Sequence, residues 1–253
     1  MNFLITNDDG FDAPGLAALY KALQPLGEVR VVAPSVCHSA KGHAVNTHAP
    51  IRIQRRSVEP FGAIDIVEGS PADCVRVGLC APDAEPVDVV VAGINPGANL
   101  GVDLFYSGTA AAAREACILG ISSLAISRYI RPDTSIDWST LSGHVTRIVD
   151  RLTSDQHRLP AGSFWNVNFP AIDRDDHPPD LHFAPQGTMS HDIRFRIIEA
   201  DDAGESRLLE YVGEYHARGK SGTCDVSHVF ENRVTATPVD LCTTANHPVV
   251  AKS

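Results

Sequence analysis

Residues 3–15 read Phe-Leu-Ile-Thr-Asn-Asp-Asp-Gly-Phe-Asp-Ala-Pro-Gly, an apolar run that stops on two adjacent carboxylates. Phe3 to Ile5 predicts a buried strand, and the amphipathic stretch 14–24 predicts a helix. A strand, a tight polar turn and a helix in that order point to an α/β fold. In an open parallel sheet, ligands bind beyond the carboxyl ends of the strands. Asp8 and Asp9 therefore fall where such a fold does its chemistry. Neighbouring carboxylates repel, and burying them unpaired is costly. A hard divalent cation removes that conflict. A polar turn with Asp as a helix cap accounts for one Asp and for Gly10, and less well for the second Asp. On this stretch alone the two readings balance.

The chain continues as alternating strand and helix. Residues 28–33 form a second strand ended by Pro34. The polar loop 35–46 is long for such a connection, and loops of that length are often functional. Residues 51–56 and 63–67 are short and β-like, and suit a hairpin. Ser70-Pro71 predicts a helix start, carrying Cys74, Val75, Val77 and Leu79 into the core. Residues 87–92 are a β-branched run fit for mid-sheet, ending at 93–101 in a Gly- and Asn-rich loop. Ser107-Gly108-Thr109 then opens the Ala-rich helix 110–119, and Gly120 closes it. A strand at 123–127, a helix at 138–152 and a strand at 164–169 follow. Helix-length crossovers between strands predict right-handed βαβ units and a parallel sheet.

After about residue 170 the pattern weakens. Residues 171–180 predict a charged, Pro-rich loop, 191–216 extended strands, 219–222 a loop and 234–237 a strand. One domain over 1–253 is expected, with a core at about 1–170. Residues from about 171 to 253 form an accessory layer or oligomerisation arm.

Net charge is −10, which argues against a stable nucleic-acid partner. It leaves room for a small anion held through a bound metal. The apolar run after Met1 meets Asn7 too soon for a signal peptide, and no long apolar span follows. No membrane association and a cytoplasmic location are expected. The six cysteines include no Cys-x-x-Cys pair, so free thiols of a reducing compartment are expected, with Cys37 in a polar loop.

Three strand-ending loops are unusually polar. The first holds Asp8 and Asp9; the second His38, Ser39, Lys41, His43 and Asn46; the third Asn95, Asn99 and Ser107-Gly108-Thr109. In a parallel sheet all three emerge at one edge. Carboxylate, hydroxyl and amide oxygens together suit Mg²⁺, Mn²⁺ or Ca²⁺, and zinc is disfavoured. Ser107-Gly108-Thr109 at a helix start is either ordinary capping or an anion site. A cation site beside an anion site makes a phosphate-ester site. There is no P-loop and no Gly-x-Ser-x-Gly elbow. His38 and His43 are candidates to touch phosphate or donate a proton, and Lys41 to steer an anion. Glu115 is expected to pair structurally, and Asp225 is by default a surface residue.

These residues resemble the SurE (survival protein E) family of metal-dependent nucleotidases. The resemblance begins at Thr6-Asn7-Asp8-Asp9-Gly10 with Ala13-Pro14-Gly15, and continues through Val32-Ala33-Pro34 with Ser39, and through Ser70 to Val75. It is densest at Gly93-Ile94-Asn95-x-Gly97-x-Asn99-Leu100-Gly101-x-Asp103 and Tyr106-Ser107-Gly108-Thr109. It implies a Rossmann-like three-layer α/β/α fold with a mostly parallel sheet, a projecting β-hairpin and a C-terminal arm used in homodimers or homotetramers. It implies hydrolysis of nucleoside 5′- or 3′-monophosphates with one divalent ion. The family's metal ligands fall on Asp8, Asp9, Ser39 and Asn95. Its phosphate contacts fall on Ser107, Gly108 and Thr109, with Asn99 close by. Ala40, Asn46, Ala116 and Asn232-Arg233 depart from the usual pattern, and touch substrate preference and assembly more than chemistry.

The sequence thus predicts a phosphomonoesterase in which a metal-activated water attacks phosphorus. Asp8 and Asp9 are the catalytic carboxylates, Asp8 the preferred general base. An aspartyl-phosphate mechanism, a specialised non-nucleotide phosphate ester as substrate, and a non-catalytic nucleotide-binding module are the alternatives.

Overall fold

The structure is a computed structural model and describes residues 1–131, 134–171, 180–201, 205–219 and 222–242. The first strand, β1 (Asn2–Thr6), lies mid-sheet with β2 (Glu28–Pro34) on one side and β5 (Val89–Pro96) on the other, both parallel to it. Outside β2 come β4 (Gly62–Val67) and then β3 (Ile53–Val58), an antiparallel hairpin as the sequence predicts. Outside β5 come β6 (Ser122–Arg128) and β7 (Ser163–Phe169), again parallel. Chain order reverses at the β1/β5 seam, so a crevice is expected at its carboxyl end.

The helices cover both faces because the strand side chains alternate. Phe3 and Ile5 pack with Leu16, Leu19 and Leu23 of α1 (Pro14–Leu23) and with Leu141, Val145 and Val149 of α4 (Trp138–Thr153). Leu4 faces the other way, onto Cys74 and Val75 of α2 (Pro71–Cys80) and Ala112 and Ala116 of α3 (Gly108–Ile118). Fully burying such side chains is worth about 1.5–3 kcal/mol each. Ser70 caps α2 reciprocally with Asp73, as its sequence forecasts. Val77 and Leu79 are only partly buried, because α2 turns Cys74, Val75 and Gly78 inward. Gly15 matters for the site: a Cβ there would lie 2.0 Å from the Ile94 carbonyl oxygen, so α1 sits directly against the end of β5.

β5 starts later and ends later than predicted. Its ladder with β6 resumes at Asn95 and Pro96 after an irregularity, which makes Asn95 a strand residue instead of a loop residue. Beyond β7 the sheet adds β8 (Leu181–Phe183) and β11 (Val234–Asp240), β11 lying between them, antiparallel to β7 and parallel to β8. The strands β9 (Phe195–Ala200) and β10 (Arg207–Tyr211) pair antiparallel as a separate ladder. Its Phe195, Ile197, Leu209 and Tyr211 are exposed. The short β8 and the helix α5 (Asp225–Phe230) have no counterpart in the sequence prediction. Most of the predicted 171–180 loop and part of 219–222 lie outside the described residues. Among the described residues, no helix is long and apolar enough to cross a membrane.

Candidate active site

The turn after β1 is built to present carboxylates. Asn7 donates its amide to the Gly10 carbonyl at 2.8 Å, which closes the turn around Asp8 and Asp9. The Asp8 carbonyl accepts from the His38 backbone N–H at 2.7 Å, so the loop after β2 is fastened to the turn after β1. The Asp8 carboxylate is buried against the N-terminus of α3. Thr109 donates its hydroxyl to Asp8 Oδ1 at 2.6 Å, and the backbone N–H groups of Gly108 and Thr109 also favour the charged form. Gly108 makes this approach possible: a Cβ there would stand 2.7 Å from Asp8 Cβ and 2.8 Å from Oδ2.

Burial nevertheless dominates and raises the Asp8 pKa above the ordinary carboxylate range. Asp9 is raised to about 6, first by burial and then by the neighbouring Asp8 charge. Asp9 Oδ2 is buried with no hydrogen-bond partner. Two repelling carboxylates with an unsatisfied oxygen form a cluster short of positive charge.

The other predicted site residues are each held by contacts of their own. Ser107 caps α3, accepting from the Ala110 N–H at 2.9 Å. Asn95 spends its amide N–H on the Gly97 carbonyl at 2.6 Å, which leaves its side-chain oxygen as the group to offer. Ser39 is exposed, its hydroxyl 3.0 Å from the Cys37 thiol. Among the described residues neither Ser39 nor Asn95 hydrogen-bonds to an aspartate. Asn99 is buried and held on three atoms. Its backbone N–H donates to Asn168 Oδ1 at 2.8 Å, its side-chain amide to Ser127 at 2.8 Å, and its carbonyl accepts from Asn166 and Asn168. Lys41 is exposed. The His38 imidazole is held below its usual pKa, first by burial and then by Lys41.

His43 and Glu115 pair with each other at 2.7 Å, and Arg76 donates to the same carboxylate at 2.5 Å. Glu115 therefore plays the structural pairing role expected of it, and pins the loop after β2 to α2 and α3.

Asp225 corrects an expectation. It is fully buried, and accepts N–H bonds from Gly101 at 2.7 Å, Gly187 at 2.8 Å and Val226 at 2.8 Å. Asp103, three residues before Tyr106, stands in the densest motif of the sequence, which assigns it no role. It receives Arg218 at 2.7 Å, Tyr215 at 2.8 Å and the Leu100 N–H at 2.9 Å, and pairs with His191 at 2.5 Å. These two aspartates tie the loop before α3 to residues 187–226. The hint in the sequence is Gly101-x-Asp103 placed just before the helix start.

Among the described residues no three His, Cys, Asp or Glu side chains gather as a metal cluster. A hard cation is also held by carboxylates together with neutral hydroxyl and amide oxygens, and Asp8, Asp9, Ser39 and Asn95 carry oxygens of those types.

Known proteins resemble this chain along nearly its whole length. A Synechocystis sp. protein is 39% identical over 237 residues, covering 94% of this chain and 98% of its own. The 5′-nucleotidase SurE of Geotalea daltonii is 39% identical over 241 residues, covering 95% and 93%. The crystal structure of the Sure protein from Aquifex aeolicus superposes with a TM-score of 0.81 at 33% identity, over 99% of this chain and 97% of that one. The family model described as Survival protein SurE matches residues 3–193, a span that takes in β1 with its aspartate pair, β5 and the start of α3. The chain therefore belongs to the SurE family.

Proposed function

We propose that this chain is a divalent-metal-dependent phosphomonoesterase that releases phosphate from nucleoside 5′-monophosphates, and from 3′-monophosphates as well. The observation that carries the reading is the Asp8–Asp9 pair. One carboxylate is seated on a helix N-terminus by Thr109, and the other has a buried oxygen without a partner. Asp8, Asp9, the Asn95 oxygen and the Ser39 hydroxyl are an oxygen set suited to Mg²⁺, Mn²⁺ or Ca²⁺. When bound, such an ion supplies positive charge to the phosphoryl oxygens and makes water acidic enough to attack at neutral pH.

The chain's own groups do the rest. The start of α3, with Ser107, Gly108 and Thr109, orients the phosphate through the positive end of the helix dipole. Asn99, fixed by Ser127 and Asn168, borders that segment. Asp8 accepts the proton of the attacking water, and burial, which raises its pKa above the ordinary carboxylate range, makes it a stronger base than an exposed carboxylate. The Thr109 hydroxyl keeps Asp8 in one rotamer while it does so.

The exposed apolar side chains of β9 and β10 are covered, in this reading, by a second copy of the chain in a homodimer or homotetramer. Residues 1–253 act as one unit, since β11 sits within the main sheet and Asp225 holds Gly101.

The test is phosphate release from a panel of nucleoside monophosphates with Mn²⁺ or Mg²⁺, and with EDTA. Metal-dependent release is expected. Release that survives EDTA, or none from any substrate, overturns the reading.

A further inference from the structure

The turn that leads into the phosphate segment carries two large aromatic side chains in the open. Phe105 is 64% exposed and Tyr106 56%, whereas Asp103 and Leu104 of the same turn are buried. Single exposed apolar residues need no explanation, but two in succession beside a polar site do. Tyr106 directly precedes Ser107, the cap of α3.

The root of Tyr106 is rigid. Its N–H donates to the Asp103 carbonyl at 2.9 Å, and its carbonyl accepts from the Gly42 N–H at 2.9 Å. Tyr106 therefore stands on the seam between the loop bearing Ser39 and the loop bearing Asn99. Its ring also has a neighbour. The His191 imidazole lies with its centroid 6.1 Å away, tilted by 42°. His191 is held in place by Asp103, which Arg218 and Tyr215 fix in turn. Phe105 has no ring partner among the described residues.

We propose that Tyr106, backed by His191, is the platform on which the base of a nucleoside phosphate stacks while its phosphate meets the start of α3. The inference rests on the phosphatase reading above and adds the group that selects for a base. A rigid aromatic face loses little freedom on binding, and base–aromatic stacking tolerates any base because every base has a π-face. The platform therefore favours nucleotides over small phosphate esters and discriminates weakly among bases.

The test compares kcat/KM for adenosine 5′-monophosphate, cytidine 5′-monophosphate and glycerol 2-phosphate in the wild type and in Tyr106→Ala, Tyr106→Phe and Phe105→Ala. Thermal melting checks that each variant folds. Tyr106→Ala is expected to lower the nucleotide-over-glycerol-phosphate ratio about tenfold, mainly through KM, for both nucleotides. Tyr106→Phe is expected to keep the ratio, since stacking needs the ring and not the hydroxyl. An unchanged ratio in Tyr106→Ala, an equal fall on all substrates, or a fall confined to Phe105→Ala overturns the platform. A wild type that hydrolyses glycerol 2-phosphate as well as nucleotides overturns the platform alone. Release from none of them overturns the phosphatase reading too.

Discussion

The Thr109 hydroxyl donates to Asp8 Oδ1 at 2.6 Å, across 101 residues of chain. The first turn of α3 thus serves the carboxylate after β1 as much as any ligand. Thr109→Val keeps the shape and removes the donor. It leaves a buried carboxylate oxygen unsatisfied, at a cost of about 1–3 kcal/mol in stability. Turnover should fall about tenfold or more, because Asp8 loses its fixed rotamer. Thr109→Ser should recover most of the rate. Steady-state kinetics and thermal melts of the two variants check this, and a fully active Thr109→Val would remove the hydroxyl from the mechanism.

Gly108→Ala separates helix propensity from site geometry. Alanine is the better helix former by about 1 kcal/mol. Its methyl group would nevertheless sit 2.7 Å from Asp8 Cβ, a separation that real side chains do not sustain. Either α3 or Asp8 has to move. The expected outcome is a loss of activity of at least about tenfold with no gain in melting temperature. Retained activity would mean that the approach of α3 to Asp8 is not needed for turnover.

Asp9 predicts how the metal-free protein responds to pH. Its pKa rises from the ordinary 3.8 to about 6, through burial first and the Asp8 charge second. Between those values the folded chain holds a proton that the unfolded chain has released. The Asp9 contribution to metal-free stability therefore falls as pH rises through this window. Asp9→Asn should melt like the wild type at pH 4 and higher than it above pH 6, both measured in EDTA. Adding Mn²⁺ should raise the wild-type melting temperature near pH 7.5 more than near pH 5, and should do little for the variant. A wild type that gains stability relative to Asp9→Asn between pH 4 and 6 in EDTA contradicts the unpartnered state of this carboxylate.

Sequence reading succeeded where the signal is local. The apolar run before Asp8, the Pro14 helix start, the Ser70-Pro71 cap and the β-branched run into β5 each carry their fold in a few residues. It failed where distant partners decide. Asp225 looked like a surface residue because the amides that hold it, from Gly101 and Gly187, are 124 and 38 residues away. β5 runs on through Gly93 and Pro96 because β6 supplies a ladder at Ser127 and Arg128, which overrides the local breakers. The three residues of β8 and the six of α5 are too short to show a period. In the site, Asp8 and Thr109 were both visible as candidates. That Thr109 points at Asp8 was not, since capping and phosphate contact explain the same Ser-Gly-Thr equally well.

Glu115 gives the opposite pH response to Asp9. It is buried in α3, and burial alone would raise its pKa. The hydrogen bonds from His43 and Arg76 outweigh that, and hold it below the ordinary 4.5. A carboxylate depressed in this way stabilises the fold above its unfolded pKa, and the stabilisation is lost as pH falls through the folded value. Glu115→Gln should cost about 1–2 kcal/mol near neutrality. The figure stays at the low end because Arg76 is partly exposed and regains water when its partner is lost. The gap between variant and wild type should close as pH drops below about 4.5. The substitution should also loosen the loop after β2, since His43 is one of its anchors alongside the Gly42 bond to Tyr106 and the Asn46 bond to Asp73. Faster amide exchange over residues 38–46, with a raised KM, is the expected signature, because that loop carries Ser39, the proposed ion ligand. A gap in melting temperature that persists unchanged down to pH 3 would mean that Glu115 contributes through packing and not through its charge.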